Sequence, residues 1–182
     1  MILSESESRR IIERALSFSS ADEIRVNLSG GRSGNTRFAL NSITTSGDED
    51  TLSVRVLAYF GKQHATARGT EFTDDALQRI VQTAEEAARF APEDPEYVPE
   101  LQPQTYLPIN PYFSSTAAAT PQLRAKGVQS SIEPSINKDL LSAGFFSNRH
   151  GFSAVGNNHK LFGYYQSSNA SFSVTTRTQD GS

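Results

Sequence analysis

The spacing of hydrophobic residues in the first half of the chain predicts an α+β layer. Apolar residues recur at helical spacing from position 11 to 16, and Ser4 and Glu7 before them match a capping box. Thr73 precedes a second helical stripe, which runs from 77 to 88. Between the two helices, alternating apolar and polar residues predict four strands, over 23–29, 35–44, 51–60 and 62–68. This α-β-β-β-β-α order predicts helices that cover one face of a sheet.

A proline-rich segment separates this pattern from a second one. All eight prolines lie between positions 92 and 134, and we expect residues 91–111 to be extended because proline fixes φ and lacks a donor. Thr120 and Pro121 are typical of the N-cap and first residue of a helix, which Pro134 is expected to end or kink. Short strands are predicted after it, over 151–157, 161–166 and 171–178.

The repeated order of elements predicts an internal duplication. We predict two α-β-β-β(β)-α units with mostly antiparallel sheets: a first α+β unit over 1–91, a Pro-rich linker over 92–120 and a second unit over 121–182. The second unit lacks a closing helix and stops just past a strand. We therefore expect it to be truncated.

Composition and charge narrow the classes of function. The chain of 182 residues has 17 Lys+Arg against 20 Asp+Glu, a net charge of −3, which argues against nucleic acid or an anionic membrane as partner. It has no apolar run long enough for a membrane span and no signal-peptide pattern, so a cytoplasmic protein is expected. The absence of Cys excludes disulfides, thiol catalysis and Cys-based zinc sites.

Two glycine-rich stretches resemble a phosphate-binding loop and a nucleophile elbow, but their spacing does not favour either site. Residues 30–34 lack the spacing of a phosphate-binding loop and precede a strand, so a hairpin turn is favoured. Residues 151–156 approach a nucleophile elbow, but the second glycine comes one place late and no helix follows. A hairpin is favoured there as well.

The ionisable residues form no recognised catalytic spacing. His150 and His159 could bind a metal with Asp180, although solvated turn histidines are favoured. The acidic run over 48–50 lacks the spacing of a calcium loop. Glu85 is expected on the solvated face of its helix, paired with Arg89.

Adjacent aromatic residues are candidates for a binding surface. Tyr164 and Tyr165 fall in a predicted strand, as does the Phe145–Phe146 pair. Successive residues of a strand point to opposite faces, so one member of each pair is expected in the core and the other is free to face a partner.

Several segments resemble one known family. The segment 35–44, NTRFALNSIT, resembles the Arg-Phe-Ala-x-Asn-x-Ile strand of the TldD/PmbA proteins, which were named modulators of DNA gyrase and are zinc metallopeptidases. The resemblance continues over 52–56, 61–68, 73–95 and 101–103, and in the second half over 120–125, 141–146 and 157–173. It thus covers almost the whole chain.

The resemblance implies a peptide-handling function without catalytic residues in this chain. Family zinc is held by an HExxxH helix and a later Cys in a C-terminal domain, and neither motif occurs here. We therefore expect an N-terminal, non-catalytic part, inactive alone and without a cofactor of its own, with zinc in the full-length protein. Expected partners are unfolded peptides and a family member in a homo- or heterodimer, with no nucleic acid and no membrane. The alternative is a stand-alone binding or regulatory module that pairs with a full-length family member.

Arg37 and Asn41 are the remaining candidates for contact with a peptide or a partner. Both lie on the predicted strand 35–44 and share the face opposite Phe38 and Leu40, where a guanidinium and an amide can bind a peptide backbone. The other interpretation is that they satisfy turns within the fold. Our candidate contact residues are thus Arg37, Asn41, Tyr164 and Tyr165.

Overall fold

The protein is an α+β fold, as predicted. The computed structural model describes residues 2–181, so Met1 and Ser182, which bound the predicted units, lie outside the described residues. Its helices are α1 (Glu5–Leu16), α2 (Asp74–Phe90), α3 (Ser114–Ala117) and α4 (Pro121–Asn137). Its strands are β1 (Glu23–Ala39), β2 (Ser42–Phe60), β3 (Gln63–Gly69), β4 (Leu141–Asn157) and β5 (Phe162–Arg177).

The strands form one antiparallel sheet in the order β3-β2-β1-β4-β5. Strands β2 and β3 are joined at Gly61, whose positive φ of 57° suits a residue without a side chain. The order α1-β1-β2 recurs as α4-β4-β5, so helix and strands repeat as the sequence pattern predicts. The strands are fewer and longer than predicted, because residues 35–44 span the end of β1, a turn at Leu40 and Asn41, and the start of β2.

Helices α1, α2 and α4 start where the sequence places them. Ser4 and Glu7 form the predicted capping box, and Thr73 and Thr120 each accept a hydrogen bond from the backbone of the following turn. Of the two effects expected of Pro134, an end or a kink, the end does not occur, because α4 continues to Asn137. Ile132 and Ser135, on either side of the proline, are buried, and this packing holds the last turn in place.

The glycine-rich stretches are strand rather than loop. Strand β1 continues through residues 30–34, β2 through 47–50, and β4 through Gly151. At Gly31 a Cβ would lie 2.4 Å from the carbonyl oxygen of His150, so the glycine permits a close approach of two backbones. The hairpin predictions at 30–34 and 151–156 are therefore wrong.

The chain forms two compact units that are discontinuous in sequence. Among the described residues, unit 1 comprises 2–30, 51–109 and 152–165, and unit 2 comprises 31–50, 110–151 and 166–181. The chain passes from one to the other within β1, β2, β4 and β5, and once more between residues 109 and 110. This division is spatial, and the sequential division at 91 and 120 stays a prediction.

Unit 1 has its core between the helices α1 and α2 and one face of its strands. Every second strand residue faces this core, as the alternating pattern predicts. Ile12 and Ala15 of α1 are almost fully buried. The strand and α2 residues that join them are Ile24, Val26, Leu28, Val54, Val56, Ala58, Ala67, Leu77, Val81, Ala84, Phe152 and Ala154.

Unit 2 has a smaller apolar core that is completed by aromatic rings. Phe38 packs with Val128 and Ile132 of α4, and all three are almost fully buried. Phe172 stacks on Phe38 at 6.1 Å between ring centroids and meets Phe146 edge-on at 5.6 Å. The stripe of α4 that faces this core also contains a buried arginine, Arg124.

Candidate functional site

A groove in unit 1 lies on the sheet face opposite the helices. Strand residues that alternate with the core positions form its floor, and residues 105–109, here called the wall segment, form one side. Its volume is about 1000 Å³. Its polar and charged lining residues are Arg25, Asn27, Ser29, Ser53, Arg55, Arg68, Thr105 and Ser153.

Two arginines stand side by side on the groove floor. Arg55 of β2 pairs directly with Arg68 of β3 in the antiparallel register, and both side chains are exposed. Like charges directly opposite each other destabilise a strand pair. The third groove arginine, Arg25, is different because its guanidinium lies 3.0 Å from the buried carboxylate of Glu100.

The wall segment follows a stretch that is tied to the sheet by Glu23. The hydroxyl of Tyr97 donates to the Glu23 carboxylate at 2.7 Å, and the backbone N–H of Glu100 donates to it at 3.2 Å. The Tyr97 hydroxyl loses this bond on ionisation, so the bond, together with burial, raises the pKa of Tyr97 to about 12. The next two residues are also held by hydrogen bonds. The side-chain amide of Asn157 donates to the carbonyl of Leu101, and the side chain of Gln102 contacts the ring of His159.

Beyond these ties the wall segment is held loosely. Within residues 2–181 its backbone groups form no hydrogen bond, and Leu107 is 86% exposed. The ring of Tyr106 packs over Gly163, where an added Cβ would lie 3.2 Å from the ring. The segment thus presents unpaired backbone groups and apolar side chains beside the groove.

We expect Glu23→Ala to loosen the wall segment, because it leaves the Tyr97 hydroxyl and the Glu100 N–H without an acceptor. Limited chymotrypsin digestion with mass spectrometry should show cleavage after Tyr106 faster by on the order of tenfold. Glu96→Ala is the matched control, since Glu96 is exposed on the same stretch. Equal cleavage rates in the two variants would show that Glu23 does not anchor the segment.

The tyrosine pair divides between the two faces as predicted. Tyr164 packs against the core of unit 1, stacks with Phe152 and donates its hydroxyl to the carbonyl of Leu3 at 2.8 Å. Burial raises the pKa of Tyr164. Tyr165 is 42% exposed and lines the groove. Tyr164 also lines the groove, but its hydroxyl is bonded to Leu3, so Tyr165 is the more accessible of the two rings.

Arg37 and Asn41 do not share a strand face. Asn41 lies in the turn after β1 with a positive φ of 59°. Its amide donates to the carbonyl of Leu140 at 2.8 Å and accepts from the backbone and hydroxyl of Ser142, both at 2.7 Å. The side chain thus satisfies a turn within unit 2. Arg37 is exposed, with its guanidinium 5.8 Å from the centre of the Phe145 ring.

Glu85 is buried rather than solvated, which corrects the sequence expectation. Its carboxylate accepts hydrogen bonds from Ser19, Ser20 and the backbone of Ala21, at 2.6 to 3.2 Å. Burial alone would raise the pKa of Glu85, but these hydrogen bonds outweigh it and lower the pKa. The residue fixes the loop after α1.

The histidines are not grouped for metal binding. Among residues 2–181, no cluster of three or more His, Cys, Asp or Glu side chains is placed to hold a metal ion. His150 lies in strand β4 rather than in a turn, and burial lowers its pKa. His159, in the turn before β5, lies 3.2 Å from Glu23. The same described residues include no helix with the length and apolar character to cross a membrane.

Sequence reasoning missed the buried Arg124 of unit 2. Its guanidinium donates to Asp48 at 2.6 Å and to Asn148 at 2.7 Å, and Arg32 binds the same Asp48 carboxylate from the exposed side at 3.2 Å. Burial raises the pKa of Asp48, but the hydrogen bonds from both arginines outweigh it, and the net pKa lies below the ordinary value. This cluster holds β2 and β4 residues to α4, and nothing in it faces the groove of unit 1.

The pairing of the two groove arginines can be predicted from the register of the β2–β3 hairpin. A hairpin that turns at Gly61 pairs residues whose numbers sum to 123, which places Arg55 opposite Arg68. Alternation with the apolar positions then sends both side chains to the polar face. No local pattern places the wall segment over that face.

The fold is that of a known group of structures. It matches TldE from Thermococcus kodakarensis with a TM-score of 0.80 at 14% identity, over 94% of this chain and 43% of that one. It matches a proposed modulator of DNA gyrase from Bacteroides thetaiotaomicron with a TM-score of 0.83 at 12% identity, over 100% of this chain and 44% of that one. A proposed modulator from Thermotoga maritima gives 0.76 at 11% identity, over 94% and 44%.

These matches confirm the sequence resemblance to the TldD/PmbA family at the level of the fold. The chain spans less than half the length of each of these structures. No protein-family model matches the sequence, and no curated protein matches it either.

Proposed function

We propose that this chain is the N-terminal, non-catalytic part of a TldD/PmbA-like metallopeptidase and that it holds unfolded peptides for cleavage. The observation that carries the proposal is the groove of unit 1, whose side is a stretch of extended chain with unpaired backbone groups. The fold likeness to TldE and to the proposed gyrase modulators supports it.

An extended peptide suits this groove better than a folded ligand. Unpaired N–H and C=O groups bind an extended chain by adding a strand to it. The wall segment offers such groups, and the exposed ring of Tyr106 and side chain of Leu107 offer apolar contact. A volume of about 1000 Å³ accommodates several residues of an extended peptide.

The residues present do not fit the zinc site that the family resemblance implies. A catalytic zinc needs three protein ligands from His, Glu, Asp or Cys. The sequence has no Cys, and residues 2–181 contain no suitable cluster. The proposal therefore gives this chain peptide holding alone and assigns no step of hydrolysis to its residues. A cytoplasmic location and a homo- or heterodimer with a family member belong to the same proposal.

Peptide binding tests the proposal directly. We expect a fluorescein-labelled, unstructured 15-residue peptide to gain fluorescence anisotropy on titration with the chain, with a dissociation constant in the micromolar range. The matched control is the same sequence locked in a helix by side-chain crosslinks, which should bind weakly because a helix satisfies its own backbone. Failure of the unstructured peptide to bind at millimolar chain would reject peptide holding.

Pairing tests the other half of the proposal. Light scattering of the chain mixed with a full-length TldD/PmbA-type protein should show a complex. Any peptide cleavage by this complex should come from the full-length partner. A complex that forms without peptide binding to the chain would favour the stand-alone regulatory module.

A further inference from the structure

The charge of the groove points to a particular class of peptide. We infer that the groove selects extended acidic peptides, whose carboxylates bind Arg55 and Arg68. The inference rests on the proposed function of peptide holding and adds the chemistry of the peptide. It is carried by the position of these two arginines, by the absence of acidic residues from the lining of the groove and by the extended wall beside them.

The groove is basic in a chain that is acidic overall. The chain has 20 acidic residues against 17 Lys and Arg, yet none of the acidic side chains lines the groove. Of the three groove arginines, Arg25 has its charge balanced by Glu100, whose carboxylate lies 3.0 Å from the Arg25 guanidinium. Two positive charges therefore remain on the floor, and a concave surface lined by one sign of charge concentrates ligands of the opposite sign.

Arg55 and Arg68 are held together without a carboxylate between them. They are directly paired across β2 and β3, and within residues 2–181 neither forms a salt bridge. Cross-strand neighbours have Cβ atoms about 5 Å apart, so the two guanidinium groups reach the same ligand. An incoming carboxylate relieves their repulsion and accepts paired hydrogen bonds from the planar guanidinium.

The geometry of an extended chain matches this pair. Alternate residues of an extended peptide project to the same side about 7 Å apart, so a Glu-x-Glu sequence presents two carboxylates to the floor. The residue between them projects away from the floor, and apolar neighbours along the peptide can contact Tyr106, Leu107 and Tyr165. The expected ligand is therefore an extended segment in which acidic residues alternate with apolar ones.

Three labelled peptides of equal length test the selection, with the complete chain as binding partner. They share one apolar and aromatic framework and carry Glu, Gln or Lys at the alternating positions. We expect the Glu peptide to bind on the order of tenfold more tightly than the Gln peptide at low ionic strength, and the Lys peptide to bind most weakly. The preference should shrink as salt is raised, because exposed charges are screened.

Variants of Arg55 and Arg68 test whether these two residues cause the preference for acidic peptides. Arg55→Gln and Arg68→Gln should each reduce the Glu-over-Gln preference by at least about threefold, and the double variant should abolish it. Arg149→Gln is the matched control, since Arg149 is also an exposed strand arginine but does not line the groove. Unfolding midpoints of the groove variants should equal or exceed that of the parent chain, because a like-charge pair is removed.

The possible outcomes separate the two proposals. If the Glu and Gln peptides bind equally, acidic selection is wrong while peptide holding stands. If no peptide binds, both proposals are wrong. A preference for acidic peptide that survives in the double variant also overturns the inference, as does tighter binding of a short single-stranded oligonucleotide than of the Glu peptide.

Discussion

Replacing Arg124 with Met should lower the free energy of unfolding by about 3 kcal/mol, the lower end of the range for breaking a buried ion pair. Arg124 is fully buried, and its guanidinium donates hydrogen bonds to Asp48 at 2.6 Å and to Asn148 at 2.7 Å. Methionine fills much of the volume but donates nothing, so the Asn148 oxygen loses its partner. The lower end applies because the Asp48 side chain is 23% exposed and retains Arg32.

Arg32→Met provides a matched control on the same carboxylate. The Arg32 side chain is 53% exposed and 3.2 Å from Asp48, so its loss should cost less than about 1 kcal/mol. Urea denaturation followed by circular dichroism measures both variants. Asp48→Asn added to Arg124→Met should recover part of the loss, because the unpaired charge is removed. Equal losses in the two single variants would show that burial does not set the strength of this cluster.

Arg124 also shows where the hydrophobic pattern fails as a guide to burial. Apolar spacing alone would turn Leu123, Val128 and Ile132 inward in α4, but Leu123 is 54% exposed and Arg124 takes the inward place. Residues 124, 128 and 132 are spaced by four and share a helical face. A pattern that counts apolar residues assigns the arginine to solvent, since its partners come from distant strands.

The length of the strands could not be predicted for a related reason. Local patterns located the apolar parts of β1, β2, β4 and β5, but treated the glycines and the acidic run between them as turns. Whether a glycine breaks a strand depends on what lies against it. At Gly31 that neighbour is the backbone at His150, more than a hundred positions away in the sequence.

The candidate site was accessible to sequence reasoning only in part. Alternation and the turn at Gly61 determine the pairing of Arg55 with Arg68. The wall segment could not be predicted, because its course depends on the hydrogen bonds of Glu23 to Tyr97 and Glu100. Local sequence contains no signal for such contacts, and a proline-rich stretch is predicted only to be extended.

Gly144→Ala should also destabilise the protein strongly, by about 3 kcal/mol, the upper part of the usual range for overpacking. A Cβ at position 144 would lie 2.1 Å from the backbone oxygen of Ser173 and 2.6 Å from the ring of Phe38. A flexible side chain would move aside, but here the nearest atom is backbone in β5 and the next belongs to the core ring of unit 2. The substitution must therefore separate β4 from β5 or displace Phe38.

Gly47→Ala is the matched control in the same unit. Gly47 is also a strand glycine, and a Cβ there would meet nothing within 4 Å. Alanine should be neutral or raise the free energy of unfolding by up to about 1 kcal/mol, since it restricts the unfolded chain. Urea denaturation compares the variants, and amide hydrogen exchange in β4 and β5 should be faster in Gly144→Ala alone. If both variants keep the stability of the parent chain, the approach of β4 to β5 does not depend on glycine. If Gly144→Ala lowers the free energy of unfolding and Gly47→Ala raises it, the cause is the close contact at position 144 and not the loss of a glycine.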